Sequence, residues 1–178
     1  ASCVSYFQEV LEMLLVRFEL PVLKRLVESF NNPEKFHYWA ELYRASRESK
    51  ELLAESQQLA FSLNAWIRDV LKQPPSVKKQ LGFVPVYAHL CGELGLDLAD
   101  VLTAYSFTVL ENQVLAAVKT IPLGQMSGQR IIWQLHQEIP KAVQAALALN
   151  DYEISSALPQ YAMLSMSHET QYSRLFRS

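Results

Sequence analysis

The sequence predicts an all-α chain, and three observations carry that prediction. No stretch alternates apolar and polar residues between turn signals, as a half-buried strand does. Apolar residues recur at spacings of three and four in every long segment, bracketed by residues that start or stop helices. From Val101 to Leu110 there is no charge on any face, so the helix expected there is covered on several sides, within one domain or partly against another subunit. Together these predict a single-domain bundle over residues 1–178, with roughly eight to ten helices around that central apolar helix.

Taken in order, Val4 to Glu19 carries Phe7, Val10, Leu11, Leu14, Leu15 and Phe18 with charges between them, an amphipathic helix. Pro21 ends it or opens the next, whose stripe is Val22, Leu23, Leu26, Val27 and Phe30. Asn32-Pro33-Glu34 starts a third: Asn caps, Pro takes the position that needs no N–H, and Glu faces the positive end of the helix dipole. Phe36, Trp39, Ala40 and Tyr43 form its buried face. Arg47 to Lys72 reads as one long helix with a main stripe of Leu52, Leu59, Leu63, Trp66 and Val70, widened by Leu53, Ala60, Ile67 and Leu71. Pro74-Pro75-Ser76 is a loop, and Phe83 to Leu94 a short helix stopped by Gly95. The central helix begins at Asp97, its N-cap, with Leu96 and Val101 placed for a hydrophobic staple. Its polarity arrives at Glu111, Asn112 and Gln113, and Pro122-Leu123-Gly124 breaks it. The next helix buries Ile131, Ile132, Leu135, Ile139, Val143, Ala146 and Leu147, with a kink expected at Pro140. A last helix fits Gln160 to Thr170.

Composition removes several function classes. Half of the residues are hydrophobic, 19% are charged and the net charge is −2, a globular balance with no basic face to attract nucleic acid. Cys3 and Cys91 form no CxxC, which excludes a disulfide framework or zinc knuckle and suits a cytoplasmic location. Ala1 to Leu15 lacks a basic start and contains Glu9 and Glu12, unlike a secretory signal. The charge-free stretch Val101 to Leu110 is about half of the length a membrane span needs, so no membrane role is expected. Because the chain starts inside an amphipathic pattern without Met, truncation at the N-terminus is the expectation.

The residues that invite chemistry mostly have a plainer reading. Glu34 and His37 make one Glu-x-x-His pair, but the di-iron bundles need two, and the residues three before His89, His136 and His168 are Val86, Trp133 and Ser165. His89 and Cys91, two apart on a helix, face different ways and cannot chelate together. His168-Glu169 starts like the zinc motif HExxH, but Tyr172 stands where the second His belongs. Gly124 and Gly128 lack the Lys-Ser/Thr and the preceding strand of a phosphate loop; a helix C-cap and a close helix approach explain them. Glu48, Glu51 and Glu55 share a solvated face. The last eight residues, QYSRLFRS, admit two readings: a final turn packed on the core, or a docking peptide with apolar anchors and arginines, residue types that dominate interface hot spots.

Three blocks, SRESKELLAES (Ser46 to Ser56), LENQVLAAVKTIPLGQMSGQ (Leu110 to Gln129) and SHETQYSRLFRS (Ser167 to Ser178), resemble the UreF family of urease accessory proteins. The similarity runs in order from about Tyr43 to the last residue, whereas residues before Tyr43 match in helical pattern only and lack the family's Pro-x-Gly-x-Phe/Tyr-Ser motif. The resemblance implies a helical protein that is not an enzyme, binds no cofactor tightly, forms a homodimer, joins UreD (UreH in some organisms) and recruits the GTPase UreG. The complex would handle nickel and deliver it to apo-urease. Carried over residue by residue, Ala104, Tyr105, Phe107, Thr108 and Leu110 would supply dimer contact. His168, Glu169, Tyr172, Ser173, Arg174, Leu175, Phe176, Arg177 and Ser178 would meet UreD. Lys119, Gly124, Gln125 and Gln129, with Arg47, Glu48 and Glu55, would belong to the GTPase surface or the nickel path. The alternative is a GTPase-activating protein supplying Arg47, Arg130 or Arg174 in trans.

Overall fold

The computed structural model describes residues 3–47, 49–121 and 123–155. Among them every regular element is helical: α1 (Cys3–Glu9), a π-helical segment (Val10–Glu19), α2 (Leu20–Glu28), α3 (Pro33–Ala45), α4 (Lys50–Trp66) with a π-helical turn (Ile67–Leu71), a 3₁₀ turn (Lys79–Leu81), α5 (Phe83–Glu93), α6 (Leu98–Thr120), α7 (Gln125–Ala148) and a second 3₁₀ turn (Asp151–Glu153). Adjoining elements merge into six uninterrupted helical runs among the described residues, against the eight to ten helices expected over the whole chain. One merger is at Pro21. Of the two readings of Pro21, the opening of the next helix holds, since Pro21 sits one residue inside α2, but no gap precedes it: i→i+5 bonding carries the helix on, the Leu20 N–H reaching Leu15 O. The wider turn aligns Phe7, Leu11, Leu15 and Leu20, each at most 2% exposed.

The described residues divide into two compact units, residues 3–25 with 94–155, and residues 26–93. In the first, α6 and α7 form an antiparallel hairpin that packs on α1 and the π-helical segment. Gly128 sets the approach of the pair, because a Cβ there would lie 2.6 Å from Val118 Cγ2. Val101, Leu102, Leu110 and Val114 of α6 are buried, as are Ile131, Leu135, Ile139 and Val143 of α7. Polar links also cross between segments: Tyr105 Oη donates to the buried Glu19 carboxylate at 2.8 Å, and Gln8 Nε2 to Glu138 Oε1 at 2.7 Å. Asp97 caps α6, its Oδ1 accepting from the N–H groups of Ala99 (2.9 Å) and Asp100 (3.1 Å).

In the second unit, α4 packs on α5 and on the Lys79–Leu81 turn, and α3 packs on both of the latter. Asn32 caps α3 by accepting from Lys35 N–H at 3.1 Å, with Pro33 in the first turn, as the sequence predicts. The long helix begins three residues later than expected, at Lys50, because Ser49 Oγ takes the Leu52 N–H at 3.1 Å. Its inner face is also rotated from expectation. Ser56, Ala60 and Ile67 are buried, whereas Leu59 is 48%, Trp66 45% and Val70 57% exposed. Small residues on the inner face let the neighbouring backbone come close: Ser56 Oγ accepts the Phe83 N–H at 3.0 Å and lies 3.3 Å from Tyr43 Oη. Gly82 holds φ +93°, and a Cβ on it would stand 2.7 Å from Ser56 Oγ. Gly95, at φ +64°, follows α5 as the expected stop.

Candidate partner-binding surfaces

The α6–α7 connection is built to be tight at its base and open at its rim. Ile121 N–H closes α6 onto Ala117 O at 2.8 Å, and Thr120 Oγ1 donates to Ala116 O at 2.9 Å. Gly124 is the N-cap of α7 and not the C-cap of α6 that its position suggested; Ile121 is the latter. Its φ of +71° favours glycine, although a Cβ there would meet nothing within 4 Å. Lys119, Gly124, Gln125 and Gln129 are all exposed around this connection, and Gln125 and Gln129 share a helix face four residues apart.

The five residues assigned to dimer contact divide by burial. Ala104 and Thr108 are exposed, Phe107 is half-buried with its ring edge-on to His136 at 5.9 Å, and Tyr105 and Leu110 are buried. One face of α6 is therefore open over Ala104, Thr108, Asn112, Leu115 and Lys119. Among the described residues α6 is the one helix long and apolar enough to cross a membrane by length and composition, and 33% of its most apolar window is buried. Core helices of soluble proteins pass that same test, and Asp100, Glu111 and Lys119 interrupt this one.

Sequence reasoning missed the outer stripe of α7. Met126 is 69% and Trp133 67% exposed, seven residues apart and so on one side of the helix, with exposed Arg130 between them. The signal was present: Trp133 lies off the stripe of Ile131, Leu135 and Ile139, and a large aromatic left outside the buried face is a candidate anchor.

Arg47 and Glu55 belong to the other unit. Arg47 is half-buried, its guanidinium 4.5 Å above the Tyr43 ring and its Nη2 3.2 Å from Ser46 Oγ; Glu55 is exposed on α4. Glu48 and the tail residues His168, Glu169, Tyr172, Ser173, Arg174, Leu175, Phe176, Arg177 and Ser178 lie outside the described residues.

Chemistry-bearing groups elsewhere are tied into structure. No cluster of three or more His, Cys, Asp or Glu among the described residues could hold a metal ion. His89 stands edge-on to Phe36 (5.5 Å) and Phe30 (6.3 Å), with Nδ1 3.5 Å from Glu93 Oε2, at one wall of a cleft of about 510 Å³ that His37, Glu41 and Lys78 also line. Burial pushes the Cys91 thiol up, against a smaller opposing pull from its hydrogen bond with Tyr87, a direction that disfavours the thiolate. Burial first, then Cys91, also raises the Tyr87 phenol far above its usual range.

Exposed helix faces carrying large apolar side chains beside amides and cations define a helical protein with the surface chemistry of a protein-binding module. The comparisons with known proteins narrow this. The profile of the UreF family matches residues 1–136. The urease accessory protein UreF of Chromohalobacter salexigens is 38% identical over 100% of this chain and 79% of its own length. That of Nitrosospira multiformis is 38% identical over 90% of the chain and 75% of its own length, and that of Methylobacillus flagellatus 36% over 99% and 82%. The chain belongs to the UreF family of urease accessory proteins.

Proposed function

We propose that this chain is a dimeric, non-catalytic scaffold that joins UreD and recruits the GTPase UreG, so that nickel is delivered into the urease active site. The family membership supports the setting, and one observation carries the scaffold reading: the long apolar helix α6 has only 33% of its most apolar window buried. Such a face in water is covered by a partner at a gain of about 25 cal/mol per Å² of apolar surface removed from solvent. A second copy meeting α6 would touch Ala104, Thr108 and Leu115, while Tyr105 and Leu110 keep the face rigid from inside. The rim at Lys119, Gly124, Gln125 and Gln129 offers donors and acceptors to the GTPase, and the tail from His168 to Ser178 docks UreD. Nickel is cargo of the assembled complex in this reading.

Co-elution of the chain with purified UreD and UreG, with and without nickel and GTP, tests the proposal. A ternary complex is the expected result; failure of UreG to join the chain and UreD refutes the scaffold role. Single-turnover GTP hydrolysis by UreG separates the alternative, because an activating protein that supplies an arginine accelerates hydrolysis by about 10³-fold or more.

A further inference from the structure

The side of α7 turned away from its buried residues carries a face that the proposed function leaves unused. Met126, Arg130, Trp133, Gln137, Lys141 and Gln144 recur at spacings of three and four, so they form one stripe, and all six are exposed. Trp133 is backed by other rings: its centroid lies 6.5 Å from that of His136, which stands edge-on to Phe107 of α6 at 5.9 Å. The outer surface of the indole still meets water. Charge on the stripe has one sign. Arg130 and Lys141 are eleven residues apart, about 16 Å along the helix axis, and neither forms an ion pair with a described residue. Glu138, the single carboxylate of α7, is half-buried off the stripe, and its Oε1 accepts from Gln8 Nε2.

We infer that the outer face of α7 docks an acidic helix of a partner protein, whose apolar side chains cover Met126 and Trp133 while its carboxylates meet Arg130 and Lys141. Charge complementarity selects this occupant: two cations without counter-charge repel a basic partner and steer an acidic one. Trp, Met and Arg are also the residue types enriched where proteins meet. A lipid surface fits less well, because the stripe has two large apolar side chains and its Gln137 and Gln144 amides would find no partners among acyl chains. The surface runs along α7 beyond the rim at Gln125 and Gln129, and it does not depend on which protein takes that rim.

The test titrates the full chain with a labelled helical peptide of about 18 residues, five turns, that sets leucines along one side and glutamates eleven residues apart. A second peptide has lysine for each glutamate. Four forms of the chain are compared: wild type, Trp133→Ala, the double variant Arg130→Glu with Lys141→Glu, and Lys35→Glu, a charge control at an exposed position of α3. The expected result is that wild type binds the glutamate peptide, and that Trp133→Ala and the double variant each bind it about tenfold more weakly. Added salt should weaken binding, Lys35→Glu should leave it unchanged, and the double variant should prefer the lysine peptide. Because Arg130 and Lys141 are exposed, the double variant keeps its fold even if Trp133→Ala does not. Equal affinity of wild type for the two peptides overturns the inference. So does an equal loss in Lys35→Glu, which would reduce the effect to net charge. Vesicles of phosphatidylcholine and phosphatidylserine form the last arm: binding to them that needs Trp133 and the two cations, without binding to the glutamate peptide, assigns the face to a membrane and overturns the inference as well.

Discussion

Two blocks that share one family resemblance do different physical work. The block from Ser46 to Ser56 opens α4 in the second unit, and its two best-placed serines are structural: Ser49 caps the helix, and buried Ser56 takes the Phe83 N–H. The block from Leu110 to Gln129 turns α6 into α7 in the first unit, and most of its polar side chains face water. A glycine at positive φ next to a helix start accompanies each, Gly82 packed against the first block's Ser56 and Gly124 within the second. What surrounds each glycine separates them. A methyl at 82 strikes Ser56 and Tyr43, whereas one at 124 enters open space. A family likeness therefore marks residues worth explaining, and burial decides whether the explanation is folding or docking.

Substitution at the two glycines is the strongest way to break that contrast. Gly82→Ala should cost roughly 3 kcal/mol, from backbone strain plus overpacking, read as a lowered denaturant midpoint. Gly124→Ala carries the strain alone, and about 1 kcal/mol is expected. Equal losses at the two sites would dissolve the distinction. Next in size, Tyr105→Phe removes a donor from the buried Glu19 carboxylate and should cost about 2 kcal/mol in urea melts, marking the inner side of α6 as structural. On the outer side, Ala104→Asp should change stability by no more than about 0.5 kcal/mol yet convert dimer to monomer in light scattering. A folded dimer after that change puts the self-contact elsewhere. Gln125→Ala with Gln129→Ala should likewise leave stability alone and weaken UreG recruitment. The smallest effect is in the connector that follows α7. Asn150 holds the Glu153 carboxyl below its usual range, through its backbone N–H first and its side chain second. A depressed native value means the contribution is full above the unfolded range, near about 4.3, and fades as pH falls through the native value. The Asn150 amide shift should titrate there, and Glu153→Gln should abolish that step.

Legibility in the sequence followed how local the cause was. The caps at Asn32 and Asp97 and the stop at Gly95 depend on a few neighbours, and the structure has them as expected. The inner face of α4 depends on what packs against it: two stripes were apolar, and the smaller residues won because α5 comes close there. The start of α4 at Ser49 and not at Arg47 rests on a single local bond, the Leu52 N–H to Ser49 Oγ. Lys119, Gly124, Gln125 and Gln129 were singled out through the resemblance and are exposed, while Trp133 and Met126 became candidates only once α7's buried side was known. Pro21 does open α2, but the wide helix that runs into it was not legible, because nothing in residue spacing announces i→i+5 bonding.

That proline has a consequence for mutational tolerance. Any other residue at 21 brings an amide hydrogen that in α register points at Arg17 O, the oxygen that accepts from Ser155 at 3.1 Å, so helix and connector would share one acceptor. A change that helix propensity ranks as an improvement should, at this position, be felt more than a hundred residues away.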